Sequence, residues 1–416
     1  MGFGEWLRGL FGRSEAVDEP LRVVARPDPV AMPTSFDDGS IRFALALYEH
    51  LRQRPGNLCF SPYSIRAALG MALLGARGDT AEQMAGALCA PRGEDTLPAA
   101  VAALVRRLHG GSRQYTLSVA NSLWAQQGTP LLPAFLDTSS GTTATPCKLV
   151  DFKGAPDAAG AVIDRWVTHE THGRISGLMP PGATNELTRL LLVNAVYLKA
   201  RWASEFSESA TSEQPFHLES GGRVRVPLMC QQTWAGYLHA SGFEALDLPY
   251  RGDDLSLLVL LPERSVGLHA FEETLSAALL DDVVARMREQ EVDVFLPRFT
   301  STWGAVDLRG DLAALGMRLA FDSTGADFSG MDGRRPPDVD ALYLSAVVHK
   351  TFIEVNERGT EAAAATAAMM DGDALEPPPI PVFRADRPFL YAIRDRRSGM
   401  LLFLGRMVDP TEGWSP

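Results

Sequence analysis

The sequence predicts an α+β protein built around a large hydrophobic core. The chain has 416 residues, of which 46% are hydrophobic and 22% charged, which is typical of a globular protein that needs no metal or disulfide to fold. Helical and strand-like stretches are mixed along the chain and do not alternate strictly, which favours an α+β layout over a doubly wound sheet. No repeat is found at the spacing of solenoid proteins, so that architecture is excluded.

An extension precedes the predicted folded domain. Residues 15–33 are rich in Pro, Asp and Arg and lack an apolar period, which is typical of a linker. We therefore expect an N-terminal extension or linker over residues 1–34 and a folded domain over residues 35–416. Glu5 and Arg8 interrupt the apolar residues at the start of the chain, so no secretory signal is expected.

The helices expected next are defined by apolar residues at three-to-four spacing. This pattern predicts a helix over residues 37–53 and another that begins after Ser61. Ser61 is placed to cap the second helix, and Pro62 suits its first turn. Further helical patterns cover residues 99–109 and 157–171.

The predicted strands are short runs of β-branched and other apolar residues. They cover residues 190–198, 255–261, 292–296 and 347–355. Such runs have the length of buried strands and lie between helical patterns, as an α+β fold requires.

Composition excludes several classes of partner. The chain has 39 Lys and Arg against 51 Asp and Glu, a net charge of −12, which repels phosphate backbones and anionic lipid. We expect no nucleic-acid partner, and because no apolar run reaches the roughly 18 residues of a membrane span, no membrane partner. The four cysteines are spread singly and are expected to be buried thiols, at Cys59, Cys89, Cys147 and Cys230.

The common catalytic motifs are absent from the sequence. It contains no G-x-S-x-G elbow, no H-E-x-x-H and no phosphate-binding loop of the G-x-x-x-x-G-K-[ST] type. His169 and His172 lie one helical turn apart and could hold a metal with a third ligand, but on a polar helix face such histidines are usually solvated. No metal and no cofactor are therefore expected.

The segment at residues 357–381 has conflicting local preferences. Its alanine-rich half favours a helix, yet it follows a predicted strand and ends in a proline cluster. It also has a period of two, which would place Thr360, Ala362, Ala364, Thr366 and Ala368 on one side of a strand. The other side would carry Glu361, Ala363, Ala365, Ala367 and Met369. The same segment can be an exposed loop or a strand that enters a sheet, and such conflicts are expected at functional sites.

Residues 355–366 resemble the proximal hinge of the reactive loop in serpins, the serine protease inhibitors. The resemblance runs from about residue 36 to residue 410. It includes further blocks in the family order, at residues 57–64, 75–80, 194–202, 312–317, 326–330, 349–350, 383–389 and 403–406. One block would be weak support, but this many blocks in the right order indicate membership of one family.

The resemblance implies a serpin fold of three β-sheets with eight or nine helices and an exposed reactive-centre loop. It implies a suicide-type inhibitor with no catalytic residues of its own: the protease cleaves the loop, forms an acyl-enzyme and is trapped when the freed hinge inserts into the central sheet. The implied partner is a serine protease, or alternatively a cysteine protease, held covalently by a monomer. Family habit favours an extracellular protein, and the missing secretory signal leaves a cytoplasmic one open.

Family roles carry over at matching positions. The hinge corresponds to Glu357, Gly359, Thr360, Ala362, Ala363, Ala364, Ala365 and Thr366. The shutter beneath the central sheet corresponds to Ser61, Ser64, Asn194 and His349. Trp202 matches the breach at the top of the sheet, and Arg298 matches the partner that tethers Glu357. Each role has a purely structural alternative. The shutter residues could be a satisfied buried polar cluster, Trp202 an ordinary core aromatic residue, and Glu357 with Arg298 a solvated ion pair.

The reactive bond can be counted from either end of the loop. Sixteen positions after Glu357 lies Asp373, which predicts a cut between Asp373 and Ala374. Counting back six residues from Phe383 gives the bond between Pro377 and Pro378 instead. That bond would be a poor substrate, because proline restricts both its own backbone and that of the preceding residue. The two counts differ because the loop is about four residues longer than the family pattern. A cut after Ala374, or after Leu375, remains an alternative.

Two other functions are weighed against inhibition. A serpin that has lost inhibition would act as a chaperone, carrier or storage protein, but such members tend to carry charged, bulky or proline residues in the hinge. Residues 360–368 contain only Thr, Glu and Ala, which favours inhibition. An enzyme with an unrecognised Ser, His and Asp set lacks support, because no nucleophile motif is present.

Overall fold

The computed structural model describes residues 38–90, 114–143, 147–180, 182–360 and 379–412. Within these ranges the chain forms nine α-helices. They are α1 (Asp38–Leu51), α2 (Pro62–Gly75), α3 (Gly78–Ala87), α4 (Pro133–Thr143), α5 (Pro156–Glu170), α6 (Leu268–Glu272), α7 (Ala277–Arg286), α8 (Arg309–Ala314) and α9 (Ser329–Asp332). Two short 3-10 helices cover Glu208–Ala210 and Leu319–Phe321. None of the helices in these ranges is long and apolar enough to cross a membrane.

Fifteen strands lie in the same ranges. They are β1 (Leu58–Phe60), β2 (Tyr115–Gln126), β3 (Lys148–Val150), β4 (Leu190–Arg201), β5 (Ser212–His217), β6 (Arg223–Ala240), β7 (Phe243–Pro249), β8 (Leu255–Pro262), β9 (Arg288–Pro297), β10 (Phe299–Asp307), β11 (Leu344–Val355), β12 (Gly359–Thr360), β13 (Val382–Arg384), β14 (Phe389–Asp395) and β15 (Leu401–Met407). The mixture of helices and strands confirms the predicted α+β class.

The predicted elements that fall in the described ranges are present. The predicted helices correspond to α1, α2 and α5, and the side chain of Ser61 caps α2 by accepting a hydrogen bond from the Ser64 N–H at 3.2 Å. The predicted strands correspond to β4, β8, β9 and β11. Strands β4 and β9 are longer than predicted, because β2 and β6 also pair with their polar ends. The predicted helix at residues 99–109 and the extension at residues 1–34 lie outside the described residues and stay predictions.

Nine of the strands form one hydrogen-bonded sheet. Its order is β1-β15-β14-β8-β7-β6-β9-β13, with β5 also paired to β6. Strand β6 is 18 residues long and joins two groups of strands: its first part pairs with β5 and its last part with β7. The described ranges therefore contain two hydrogen-bonded sheets where the resemblance implies three, because the long strand β6 pairs with strands of both groups and joins them into one.

The second sheet has six strands and positions the functional residues. Its order is β10-β11-β4-β2-β3, and β12 pairs with β4 as well. Strands β4 and β11 are parallel neighbours, paired from Leu190 opposite Leu344 to Tyr197 opposite Phe352. We call this line of pairing the β4–β11 seam.

Both faces of the six-stranded sheet are covered. Leu190 and Leu192 of β4 belong to the main core together with α1 and α2, and this side of the sheet is called the core face. Leu191 and Val193 point the other way and cluster with Ile163 of α5, on what we call the α5 face. Burial on both faces explains why β4 reads as a continuous apolar run in the sequence.

The prediction that the cysteines are buried thiols is correct for Cys59, whereas the other three cysteines are less buried than predicted. All four thiols are free, and Cys59 in β1 is buried. Cys89, Cys147 and Cys230 are only partly buried. Cys89 and Cys147 lie outside the interiors of helices and strands, while Cys230 lies within β6, where Gln232 and Trp234 on the same side are exposed.

Candidate functional site

A buried polar network crosses three neighbouring strands of the six-stranded sheet. Asn194 of β4 lies between Asn121 of β2 and His349 of β11, and the three residues are in register. Ser61 and Ser64, at the start of α2, reach the same network from the core face. The structure therefore brings together the four residues predicted for the shutter, and all four are fully buried.

Each of the network's side chains has partners. The backbone N–H of Ser61 donates to Nε2 of His349 at 3.2 Å, so the imidazole proton is on Nδ1, which donates to Oδ1 of Asn194. The Asn194 side-chain amide donates to Oγ of Ser64 at 2.6 Å and to Oδ1 of Asn121. The Ser64 hydroxyl in turn donates to Oδ1 of Asn121 at 2.9 Å.

The network holds His349 neutral and ties the seam together. Burial lowers the pKa of His349 from 6.5 to about 3, although its hydrogen bond with Asn194 acts in the opposite direction. Because a half-satisfied buried network costs more than an apolar core, β4 and β11 cannot separate at this level without leaving polar groups unpaired. The network can therefore latch the seam closed.

Strand β12 lies just beyond the end of the seam at Tyr197 and Phe352, which we call the head of the seam. After β11 ends, the chain turns at residues 357–358, and Asn356 and Gly359 exchange backbone hydrogen bonds of 2.9 and 3.1 Å. The chain then returns antiparallel to β4, with Gly359 opposite Arg201 and Thr360 opposite Ala200. Gly359 has a φ of +129°, and a Cβ there would clash with the carbonyl oxygen of Ala200, so only glycine fits this approach.

Thr360 is fully buried at the end of the described hinge. Its hydroxyl lies 3.1 Å from that of Tyr250, whose pKa is raised by burial. The Tyr250 ring stacks on Trp202 with ring centroids 4.6 Å apart. The β4–β11 pairing stops at Tyr197 and Phe352, so β12 already lies beside β4 beyond the end of the seam.

Trp202 fixes the turn that leads into β12. Its indole Nε1 donates to the carbonyl of Asn356 at 2.9 Å, and its backbone N–H donates to the carbonyl of Arg358 at 3.1 Å. The side chain is 1% exposed and also packs edge-on against Phe206. The predicted breach residue is thus a core aromatic residue that also carries hydrogen bonds to the base of the hinge.

Glu357 is tethered from two directions. Its carboxylate is 4% exposed and accepts hydrogen bonds from Arg298, the residue between β9 and β10, and from the hydroxyl of Thr211 at 2.6 Å. Burial alone would raise the pKa of Glu357, but the bonds from Arg298 and Thr211 outweigh it and lower the pKa. The predicted pair is therefore a hydrogen-bonded contact in which the Glu357 carboxylate is buried and the Arg298 side chain is partly exposed, and not a solvated ion pair.

Sequence reasoning missed three residues of this site: Asn121, Thr211 and Tyr250. An asparagine in the middle of the apolar run of β2 is a signal that could have identified Asn121. Thr211 and Tyr250 lie in ordinary polar and strand-end surroundings, and no sequence pattern marks them.

Several predicted residues lie outside the described ranges. These are the rest of the hinge and the reactive bond, namely Ala362, Ala363, Ala364, Ala365, Thr366, Asp373, Ala374 and Leu375. His169 and His172 are exposed at the end of α5, and no group of three potential metal ligands occurs in the part of the chain that the structure describes.

Comparison with known proteins connects this geometry to a family. A family model described as Serpin (serine protease inhibitor) matches residues 38–410. The leukocyte elastase inhibitor of Homo sapiens is 38% identical over 379 residues, which are 89% of this chain and 98% of the relative. An uncharacterized serpin-like protein of Thermococcus kodakarensis is also 38% identical, over 89% of this chain and 85% of the relative. The solved structure of thyroxine-binding globulin in complex with thyroxine matches with a TM-score of 0.80 and 28% identity, over 90% of this chain and 99% of that chain.

Proposed function

Because this chain belongs to the serpin family of serine protease inhibitors, we propose that it traps its target protease as an acyl-enzyme by inserting its cleaved reactive loop into the β4–β11 seam. Family membership places the chain among protease inhibitors and not among enzymes. The observation that carries the proposed mechanism is the pairing of β12 with β4. Gly359 and Thr360 already occupy the first positions of an additional strand, at the open head of the seam.

The register of β12 specifies where the following residues would lie. Gly359 is opposite Arg201 and Thr360 is opposite Ala200, so each further loop residue would pair with the preceding residue of β4. Thr366 would lie opposite Asn194, and Met370 opposite Leu190 at the other end of β4. Residues that pair across a ladder share a face, so Thr360 and every second residue after it would point to the core face.

The side chains suit these positions. The core-face set consists of Thr360, Ala362, Ala364, Thr366, Ala368 and Met370. Five of the six are small and none is charged, so a strand can pass between β4 and β11 without burying an unpaired charge. Glu361 falls on the α5 face instead, beside the head of the seam.

Insertion would be strongly favourable. It replaces one parallel ladder between β4 and β11 with two antiparallel ladders along residues 361–370. The net gain is roughly ten hydrogen bonds at about 1 kcal/mol each, or on the order of 10 kcal/mol. This gain is comparable with the whole stability of a typical domain, about 5 to 15 kcal/mol.

The chemistry belongs to the protease. Its serine hydroxyl attacks the carbonyl of the residue before the cut and loses its proton to the enzyme's histidine, which passes the proton to the departing amine. The peptide bond is broken and an ester joins inhibitor and enzyme. Insertion would then carry the enzyme along the sheet before water can attack the ester.

The proposed cut lies between Asp373 and Ala374, with cuts after Ala374 or Leu375 as alternatives. An elastase-like target would prefer the small side chain of Ala374 before the cut, and relatives of this chain are named leukocyte elastase inhibitors. Sequencing the C-terminal fragment released from the complex decides the bond. A first residue of Ala374 or Leu375 agrees with the count from Glu357, whereas Glu376 overturns it.

The test is to mix the protein with a panel of serine proteases and look for complexes that survive boiling in detergent. We expect such a complex for the wild-type protein, and turnover without trapping for Thr360→Arg. Thr360 is fully buried, so an arginine there would bring an unpaired charge into the sheet, at a cost of several kcal/mol. Thr302→Arg is the matched control, because Thr302 is an exposed residue of β10.

The outcomes separate the possible functions. Trapping by the Thr302→Arg variant but not by Thr360→Arg supports insertion through the hinge. Trapping by both would refute the hinge assignment. A carrier or storage protein would form no complex with any protease, and cleavage of its loop by a non-target protease would leave its melting temperature unchanged.

A further inference from the structure

A cavity lies at the foot of the β4–β11 seam, the end at Leu190 and Leu344. Its volume is about 440 Å³, and small-molecule sites typically measure about 300 to 1000 Å³. Its walls are the segment at residues 182–188 that leads into β4, the start of β11 and the end of β10. These walls come from both sides of the line along which β4 and β11 would part.

Part of the cavity lining is apolar. Ala346 and Val348 belong to the cluster on the α5 face, and Ala183 and Ala305 pack against that cluster. Leu187 also lines the cavity, and its side chain is 69% exposed, so the cavity opens to solvent beside it. A ligand with an apolar body would cover these side chains and remove their surface from water, which is favourable.

The two charged residues of the lining, Arg309 and Asp307, differ in what they have left to offer a ligand. The Asp307 carboxylate already accepts from three N–H groups: the backbone of Val347 at 3.3 Å, the backbone of Arg309 at 3.1 Å and Nε of Arg309 at 2.7 Å. The two Nη atoms of Arg309 donate to no residue that the structure describes, and the side chain is 49% exposed. The guanidinium group can therefore still donate to a ligand, whereas the carboxylate is occupied.

Two hydroxyl groups of the lining also keep a proton to donate. Oγ of Ser345 accepts from the Arg189 N–H at 2.9 Å, and Oγ1 of Thr188 accepts from the Asn185 N–H at 3.0 Å. Within the described ranges neither hydroxyl donates to a protein acceptor, while the Tyr343 hydroxyl already donates to a backbone carbonyl at 2.6 Å. The hydrogen bonds that the cavity can still make are thus mainly those of a donor, which suits a ligand with acceptor atoms.

We infer that this cavity is a binding site for a small organic carboxylate. The carboxylate head accepts from the Arg309 guanidinium group and from the hydroxyl of Ser345 or Thr188, and the apolar body of the ligand packs against Ala346 and Val348. Guanidinium and carboxylate groups form strong, charge-assisted hydrogen bonds, so the head sets the class of ligand. The apolar wall adds affinity for carboxylates that carry a hydrocarbon body.

A ligand bound in this cavity holds the foot of the seam closed. It contacts Ser345 of β11 and the segment before β4 at the same time, so the two walls cannot move apart while it is bound. A ligand that binds the closed form alone stabilises that form increasingly as its concentration rises. This consequence rests on the proposed insertion, since it predicts that the bound ligand opposes protease trapping, whereas the binding itself does not depend on it.

Isothermal titration calorimetry of the uncleaved full chain with octanoate tests the site in the absence of any protease. Octanoate should bind the wild-type protein, and 1-octanol and octylamine, which have the same chain but no carboxylate, should bind about tenfold more weakly or not at all. Arg309→Met keeps an unbranched apolar side chain without the donors and should weaken octanoate binding by about tenfold or more. Arg318→Met is the matched control at an exposed position outside the lining, and it should bind octanoate like the wild type.

A space-filling variant tests the cavity without changing its charge. Ala183→Leu places a larger side chain in the cavity and should abolish octanoate binding, whereas Ala314→Leu, at an exposed position of α8 outside the lining, should not. Melting curves without ligand show that each variant is folded before it is titrated. Full octanoate binding by Arg309→Met or by Ala183→Leu, or equal binding of octanol and octanoate to the wild type, would refute the site.

Protease trapping tests the consequence of binding separately from the site. Saturating octanoate should lower the fraction of wild-type protein that ends in a covalent complex and raise the fraction that is cleaved and released, and Arg309→Met should lose this effect. If octanoate binds and the trapped fraction does not change, the effect on the seam is refuted. If the protein traps no protease with or without octanoate, the proposed function has failed, and the calorimetry alone decides whether the cavity is a carboxylate site.

Discussion

Replacing His349 with glutamine should make the protein less sensitive to acid. Burial lowers the pKa of His349 from 6.5 to about 3, so the native protein keeps this side chain neutral down to a pH at which the unfolded chain is already protonated. The unfolded state therefore binds an extra proton between these values, and stability is complete above pH 6.5 and falls as the pH drops towards 3. At about 1.4 kcal/mol per pH unit, the loss reaches roughly 2 kcal/mol at pH 5.

Glutamine can replace both hydrogen bonds of the imidazole without titrating. Its oxygen can accept from the backbone N–H of Ser61, and its amide can donate to Asn194. The variant loses the ring contact with Trp303, at 5.9 Å between centroids, so we expect lower stability at neutral pH. Between pH 7 and pH 5, however, its stability should fall by about 2 kcal/mol less than that of the wild type.

Urea unfolding at several pH values between 7.5 and 5 measures this difference. Tryptophan fluorescence is followed in both the unfolding and the refolding direction, because only a reversible transition gives a free energy. His239→Gln is the control, since the His239 side chain is 67% exposed and lies outside the polar network. Equal slopes for wild type and His349→Gln would refute the conclusion that the network holds a neutral histidine.

Two further predictions concern the base of the hinge. Arg298→Ala should lower the melting temperature of the uncleaved protein, with a loss of stability of about 1 to 3 kcal/mol. The reason is that the buried Glu357 carboxylate keeps the Thr211 hydroxyl as a side-chain partner but loses the guanidinium group. An unchanged melting temperature would show that the tether is not stabilising. Gly359→Ala should abolish protease trapping, because its φ and the Ala200 carbonyl exclude a Cβ, whereas Gly86→Ala, at an exposed position of α3 with open space around it, should leave trapping intact. Full trapping by the Gly359→Ala variant would mean that β12 is not needed.

The parts of the fold that could be predicted from the sequence have strong periodicity. The helices α1, α2 and α5 and the strands β4 and β8 were predictable because apolar spacing and length are local properties of the chain. Strand ends were less predictable, since the polar residues of β9 become strand only through pairing with β6. Tertiary pairing overrides local propensity at such positions.

The site was predictable only in part, for a physical reason. Ser61, Asn194 and His349 were identified by resemblance, whereas Asn121 joins them because β2 happens to place it in register with Asn194. The contacts of Glu357 with Thr211 and of Thr360 with Tyr250 join residues more than a hundred positions apart. Register and long-range contacts of this kind are properties of the folded chain, and no local pattern encodes them.

The position of the polar network along β4 determines the stage at which loop insertion would become irreversible in the proposed reaction. Asn194 lies six residues from Ala200, where Thr360 is already paired, so about 20 Å of strand must enter before the network is reached. Up to that stage of the proposed mechanism, the protease could still complete hydrolysis and dissociate. Once Thr366 had displaced the bonds between Asn194 and His349, the inserted strand could leave the seam only if the whole polar network formed again. In the proposed mechanism, the outcome of each encounter would therefore depend on whether the enzyme deacylates before Thr366 reaches Asn194, halfway down the sheet.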